Sequence, residues 1–216
     1  LSFVEARLME KARIAVLVSG GGTNLQALLD AERRGELRSG EITLVISNKA
    51  EAYALTRAGN AGVKTATVVR GDYPSQEAFE GRIIELLEKN RTDLIILAGF
   101  MCILSADFTS RYPGRIINVH PSLIPSFCGR GFYGLKVHRA ALDYGVKVTG
   151  ATVHFVNEVP DGGEIILQRA VEVREGDTPE TLQRRVMEEA EWVILPAAAE
   201  LVCAEILRKK HKGEKI

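Results

Sequence analysis

The sequence predicts an α/β fold in which a doubly wound, mostly parallel sheet carries helices on both of its faces. Three observations lead there. Short apolar runs alternate with longer amphipathic ones through the first half of the 216 residues. Those runs are continuous, as strands covered on both faces require, not alternating as in a half-exposed sheet. A glycine-rich turn, Ser19-Gly20-Gly21-Gly22, follows the first of them, where nucleotide-binding folds of the Rossmann type place a ligand.

Arg13 to Val18 (RIAVLV) is the first strand, and Asn24 to Arg34 shows helical spacing through Leu25, Leu28 and Leu29. Ile42–Ile46 is a second strand, Ala50–Asn60 a helix and Val63–Val69 a third strand. Pro74 and Ser75 open a helix with Phe79, Ile83, Leu86 and Leu87 on one face, and Leu94–Ala98 is a fourth strand. Ile116 and Ile117 begin a short strand, a Pro/Gly-rich loop runs from Pro121 to Gly134, and Leu135–Tyr144 is a helix. Lys147–Val156 and Glu164–Val173 read as paired strands around an ordered loop. Thr178 caps a long final helix with Pro179 in its first turn, and Pro196 should bend or break it. With no repeat, linker or low-complexity segment, residues 13–208 are expected to form a single domain. Residues 1–12 read as an N-terminal extension, with Met9 as the natural start, and 209–216 as a flexible basic tail.

The 28 basic and 28 acidic side chains cancel, which leaves no electrostatic footprint for nucleic acid or an anionic membrane. No apolar run approaches the ~20 residues of a membrane span, and Leu1–Lys11 is too charged for a secretory signal. Cys102, Cys128 and Cys203 are scattered, form no metal-binding spacing and read as free thiols in a reducing cytosol. The expectation is a cytoplasmic monomer or homodimer that handles small molecules, with no metal.

Ser19-Gly-Gly-Gly-Thr-Asn24 lies between strand and helix but matches neither GxGxxG nor GxxxxGK[ST]. Backbone amides at a helix N-terminus suit a monophosphate; a tight turn with Thr23 as its cap explains the same residues equally well. In Asn118-Val-His120-Pro-Ser-Leu-Ile-Pro125, strand alternation puts Asn118 and His120 on one face. An amide donor and an imidazole converging on one point suit a carbonyl oxygen that becomes an oxyanion, and a buried, hydrogen-bonded histidine at a strand end is the plainer alternative. Asp161-Gly-Gly offers a carboxylate on a loop able to reach that site, or a plain turn. His154 reads as a core-strand residue, and His138 and His211 as exposed helix residues.

The stretches VSGGGTNLQALLDA, ISNKAEAYAL, LAGFMCILS, IINVHPSLIPSF, GATVHFVNEVPDGGEIILQ and EGDTPETLQRRV, in this order, resemble the phosphoribosylglycinamide formyltransferase family of purine synthesis from Arg13 to about Ala204. The resemblance implies a formyltransferase-type fold and transfer of a formyl group from 10-formyltetrahydrofolate to the amine of glycinamide ribonucleotide. It implies Asn118, His120 and Asp161 as catalytic residues, with Gly22, Thr23 and Asn24 at the ribonucleotide phosphate. It places the pterin end of the folate, which Asn118 also adjoins, at Met101, Cys102, Ile103 and Leu104 and at Asn157, Glu158, Val159 and Pro160 up to Asp161. Glu191 matches an acidic residue that holds the ribonucleotide, after a one-residue insertion. Cys102 stands where many relatives have Arg, Gln76 where some have Arg near the folate tail, and the loop from Cys128 to Leu135 is longer than in many. Methionyl-tRNA formyltransferases and formyltetrahydrofolate hydrolases share the Asn-x-His pattern, but the first carry an added RNA-binding domain and the second lack this glycine loop.

Overall fold

The computed structural model describes residues 10–214. Met9 and most of the expected extension lie outside them. Seven strands form one sheet in the order β3-β2-β1-β4-β5-β6-β7. They are β1 (Ala12–Val18), β2 (Gly40–Ser47), β3 (Lys64–Thr67), β4 (Leu94–Leu97), β5 (Ile116–His120), β6 (Val148–Phe155) and β7 (Ile165–Glu172). The pairs from β3 through β5 are parallel, whereas β5–β6 and β6–β7 are antiparallel.

The continuous apolar run of β1 serves two cores. Ile14, Val16 and Val18 face one layer, Ala15 and Leu17 the other, and all five are fully buried. The first layer is covered by α1 (Thr23–Arg33) through Leu25 and Leu28, and by the C-terminal helices α6 (Pro179–Val186) and α7 (Trp192–Lys212). The second is covered by α3 (Gln76–Lys89) through Phe79, Ile83 and Leu87, and by α4 (Ala106–Ser110) through Phe108. The helices α2 (Tyr53–Asn60) and α5 (Leu135–Tyr144) complete the set among the described residues.

Chain direction away from β1 decides where a ligand can sit. β2 lies on one side of β1 and β4 on the other, so the loops leaving the carboxyl ends of β1 and β4 part from each other and open a crevice. Ser19, at the end of β1, accepts a 2.8 Å hydrogen bond on Oγ from the Met101 amide beyond β4, which ties the two loops together.

Three elements differ from expectation. β3 is shorter than Val63–Val69 because it is the sheet's edge strand, paired only with β2 and largely exposed. α4, five residues long, went unpredicted, since it is too short to display a helical period; Ser105 caps it by accepting from the Phe108 amide. The final helix is neither broken nor ended at Pro196, which sits within α7. The irregularity falls one turn earlier, where Met187–Glu191 forms a π turn between α6 and α7. Pro196 has no N–H for the carbonyl four residues back, and the wider turn lies just before that carbonyl. α7 itself continues past 208 to Lys212, into the segment expected to be a tail.

Candidate active site

Asn118 and His120 end β5, and β6 runs antiparallel beside them with His154 opposite Asn118 and Thr152 opposite His120. The expected alternation holds: both side chains line a cavity of about 620 Å³ with Asp161, Met101, Cys102 and Ile103 on its walls. Asp161 arrives from the loop between β6 and β7. Its Oδ2 lies 3.5 Å from His120 Nδ1 and accepts a 2.8 Å hydrogen bond from the Gly129 amide. Asp161 has φ 56°, an uncommon conformation for a residue with a side chain and one concentrated at functional sites. The glycines after it explain how the loop folds back. A Cβ at Gly163 would lie 1.8 Å from the Phe155 carbonyl oxygen, so only glycine permits this approach to the end of β6.

The long loop from Pro121 to Gly134 closes over these groups. His120 Nε2 donates to the Phe127 carbonyl at 2.9 Å, while the Gly129 amide holds Asp161. Phe127 carbonyl and Asp161 carboxylate can both only accept, an environment that suits imidazolium. Burial works against it and prevails: His120 is shifted below the ordinary histidine pKa, with Asp161 and the Phe127 carbonyl offsetting part of the drop and His154 adding to it. For Asp161 burial pushes upward, but His154, His120 and the Gly129 amide outweigh it and hold the carboxylate below its usual range.

Two histidines depart from their sequence reading. His154 is buried in a strand as expected, yet it belongs to the same constellation: its Nε2 lies 3.2 Å from Asn118 Nδ2 and 3.6 Å from Asp161 Oδ1. The signal that could have found it is the antiparallel pairing of β6 with β5, which needs a register that local sequence does not carry. His138, expected to be exposed, is fully buried on α5 and neither ring nitrogen has a partner among the described residues. Burial, with a smaller contribution from His120, pushes its pKa down to about 4. His138 departs from expectation because it shares the buried face of α5 with Val137 and Ala141. His211 is exposed, as expected.

Among the residues assigned to the folate, Met101 (54% exposed), Ile103 (67%) and Val159 (54%) leave apolar surface open around the cavity. Pro160 lines it, whereas Leu104 is buried in the core, and Asn157 and Glu158 line a separate groove between Pro113, Phe155, Leu201 and Ile206. Cys102 Sγ receives a 2.9 Å hydrogen bond from Asn48. Gln76 braces this loop, donating from Nε2 to the Ile103 carbonyl and to Glu80, while Gln76 Oε1 accepts from Arg70.

The glycine loop is an uncapped helix N-terminus. Gly22, not Thr23, occupies the cap position, at φ 72°, and no side chain caps the first turn. A Cβ on Gly22 would lie 2.6 Å from Ala54 Cβ, whereas Gly20 and Gly21 face open space. Arg57, which sequence reading passed over, donates to the Gly21 carbonyl at 2.8 Å and fixes the loop from outside. Unsatisfied amides and the positive end of the helix dipole together favour an anion here. Glu191, the last residue of the π turn, accepts a 2.6 Å hydrogen bond from Asn24 Nδ2 on the first turn of α1. Burial raises its pKa to about 6, partly offset by Asn24. Among the described residues no group of three or more His, Cys, Asp or Glu is arranged to hold a metal ion, and no helix is long and apolar enough to cross a membrane.

The formyl transferase family model matches residues 12–198. The chain is 47% identical over 204 residues to the trifunctional purine biosynthetic protein adenosine-3 of Bos taurus, covering 94% of this chain but 20% of that protein. It therefore spans about a fifth of the length of such relatives. It is 43% identical over 173 residues to the phosphoribosylglycinamide formyltransferase of Escherichia coli, covering 80% of this chain and 79% of that one. The crystal structure of glycinamide ribonucleotide transformylase 1 from Symbiobacterium toebii superposes with a TM-score of 0.85 at 46% identity, over 90% of this chain and 89% of the other. Agreement in sequence and in fold over nearly the whole described length leads to one assignment: the chain belongs to the formyl transferase family, beside the phosphoribosylglycinamide formyltransferases.

Proposed function

We propose that residues 13–208 form one catalytic domain that transfers the formyl group of 10-formyltetrahydrofolate to the amine of glycinamide ribonucleotide, in the cytoplasm and in de novo purine synthesis. The observation that carries this reading is the convergence of Asn118, His120 and Asp161 on one cavity wall, at the same edge of the sheet as the uncapped glycine loop. The ribonucleotide phosphate sits on the amides of Gly22, Thr23 and Asn24, with Glu191 toward the rest of that substrate. The folate lies in the cavity along Met101, Cys102, Ile103, Pro160 and Asp161, its tail running past Ile103 toward Gln76.

The amine attacks the formyl carbon and the carbonyl becomes a tetrahedral oxyanion. Asn118 Nδ2 and His120 Nε2 donate to that oxygen, for which His120 must exchange the Phe127 carbonyl for the substrate. Asp161 offsets part of the burial penalty on protonated His120, and the developing negative charge offsets more. Collapse breaks the bond to the folate nitrogen. The proton lost by the amine balances the proton gained there, so the products are formylglycinamide ribonucleotide and tetrahydrofolate, and no metal or ATP enters the balance. Transfer is direct, and the thiols of Cys102 and Cys128 take no part.

The test is tetrahydrofolate production with and without glycinamide ribonucleotide. Release that depends strictly on the acceptor supports the proposal; release without it identifies a hydrolase, and none under either condition leaves a binding module.

A further inference from the structure

We infer that His154 is a positioning residue that fixes which way the Asn118 carboxamide faces, through a single imposed tautomer. The inference rests on the proposed formyl transfer and explains how the oxyanion donor is held ready.

The chain of contacts begins at the backbone. His154 Nδ1 lies 2.7 Å from the Phe155 carbonyl oxygen, which can only accept, so Nδ1 carries the proton. In the neutral ring Nε2 is then a bare acceptor. It lies 3.2 Å from Asn118 Nδ2, a donor. The reversed carboxamide would set its oxygen against the Nε2 lone pair, acceptor against acceptor, in a site where His154 is 1% exposed and water offers no substitute. Neutral His154 therefore selects the orientation in which Asn118 Nδ2 spends one hydrogen on His154 and keeps the other for the cavity that Asn118 lines with His120 and Asp161. Asp161 Oδ1, 3.6 Å from Nε2, is beyond direct hydrogen-bond reach; it attracts the charged ring, in which Nε2 carries a proton, and the selection of the Asn118 orientation belongs to the neutral ring. Register makes the arrangement possible: Asn118 and His154 stand directly opposite each other in the antiparallel β5–β6 pair, while on the other side of β6 the β6–β7 pairing shifts between Val153 and His154, where β7 begins.

Two measurements test it. Nitrogen-15 NMR of histidine-labelled protein, at a pH where the His154 ring is neutral, should show a protonated Nδ1 and a bare Nε2; a neutral ring protonated on Nε2 would overturn the inference. A double-mutant cycle in formyl transfer gives the second. His154→Phe and His154→Leu, which lack the acceptor, should lower kcat by on the order of 10- to 100-fold with both KM values little changed, less than the 10²–10³ of deleting an oxyanion donor outright. His154→Gln keeps an acceptor at that reach and should recover most of the loss. In an Asn118→Ala background the same His154 changes should cost less than about threefold, since neighbours acting through one group are non-additive. If His154→Phe does not fold, His154→Leu against His154→Gln decides. Full additivity, or equal loss in the glutamine and apolar variants, would contradict the inference while leaving the wild-type activity, and so the functional reading, intact. A wild-type protein without formyl transfer would sink that reading instead, and the NMR result would still stand on its own.

Discussion

At His120 two physical effects oppose each other. The Asp161 carboxylate and the Phe127 carbonyl favour the charged ring, burial disfavours it, and burial wins, so the histidine lies below its ordinary pKa. A carboxylate beside an imidazole would by itself raise the histidine pKa; the pairing is present, but desolvation cannot be read from neighbours in sequence. The charge on His120 is present below its pKa and lost as pH rises through it. Asp161 contributes upward, so Asp161→Asn, which keeps shape but deletes charge, should lower the His120 pKa further. The alkaline limb of kcat/KM, which reports the free enzyme, should move to lower pH by the same amount. NMR titration of His120 in both proteins checks this directly. Identical titrations would mean that Asp161 is not the electrostatic partner of the ring, and the carboxylate would then have to act on the attacking amine.

At the scale of elements, the glycine loop separates two roles that its three glycines share in sequence. Gly22 is structural: it holds the left-handed cap position and meets Ala54 closely. Gly22→Ala should therefore lower the melting temperature, with a cost of roughly 1–2 kcal/mol or more from strain and collision. Gly21 faces open space, and its substitution meets no protein atom. Gly21→Ala should leave the melting temperature within a degree or two, as surface changes within ±0.5 kcal/mol do, while raising the KM for glycinamide ribonucleotide several-fold and sparing that for the folate. An unchanged ribonucleotide KM would remove the loop from the site. The strands around this loop were legible because β1 buries both faces and so reads as an uninterrupted apolar run. The π turn was not. Met187–Glu191 has ordinary helical composition, and what aims Glu191 at Asn24 is the extra residue wound into the turn, a tertiary arrangement without a local signature.

Across the whole molecule, the order of the strands explains why one edge of the sheet holds both halves of the candidate site. The chain leaves β1 toward β2 and later returns to the other side of β1 with β4, so the glycine loop and the Met101 loop flank one crevice, and β5 brings Asn118 and His120 into it. The parallel half and the antiparallel pair were evident from patterning. The meeting of Asp161 with His120, the entry of His154, and the burial of His138 were not, because each depends on contacts between segments far apart in the chain. In the proposed transfer, Asn118, His120 and Asp161 perform the chemistry while the glycine loop and the Met101 loop hold the ligands. Single-turnover formyl transfer with both substrates saturating, in wild type and His120→Ala, tests it most directly, alongside calorimetric binding of each substrate. The rate constant should fall on the order of 10²–10⁴-fold, as for a missing positioned general acid, with both dissociation constants little changed. Intact binding with a near-normal rate constant would contradict the account.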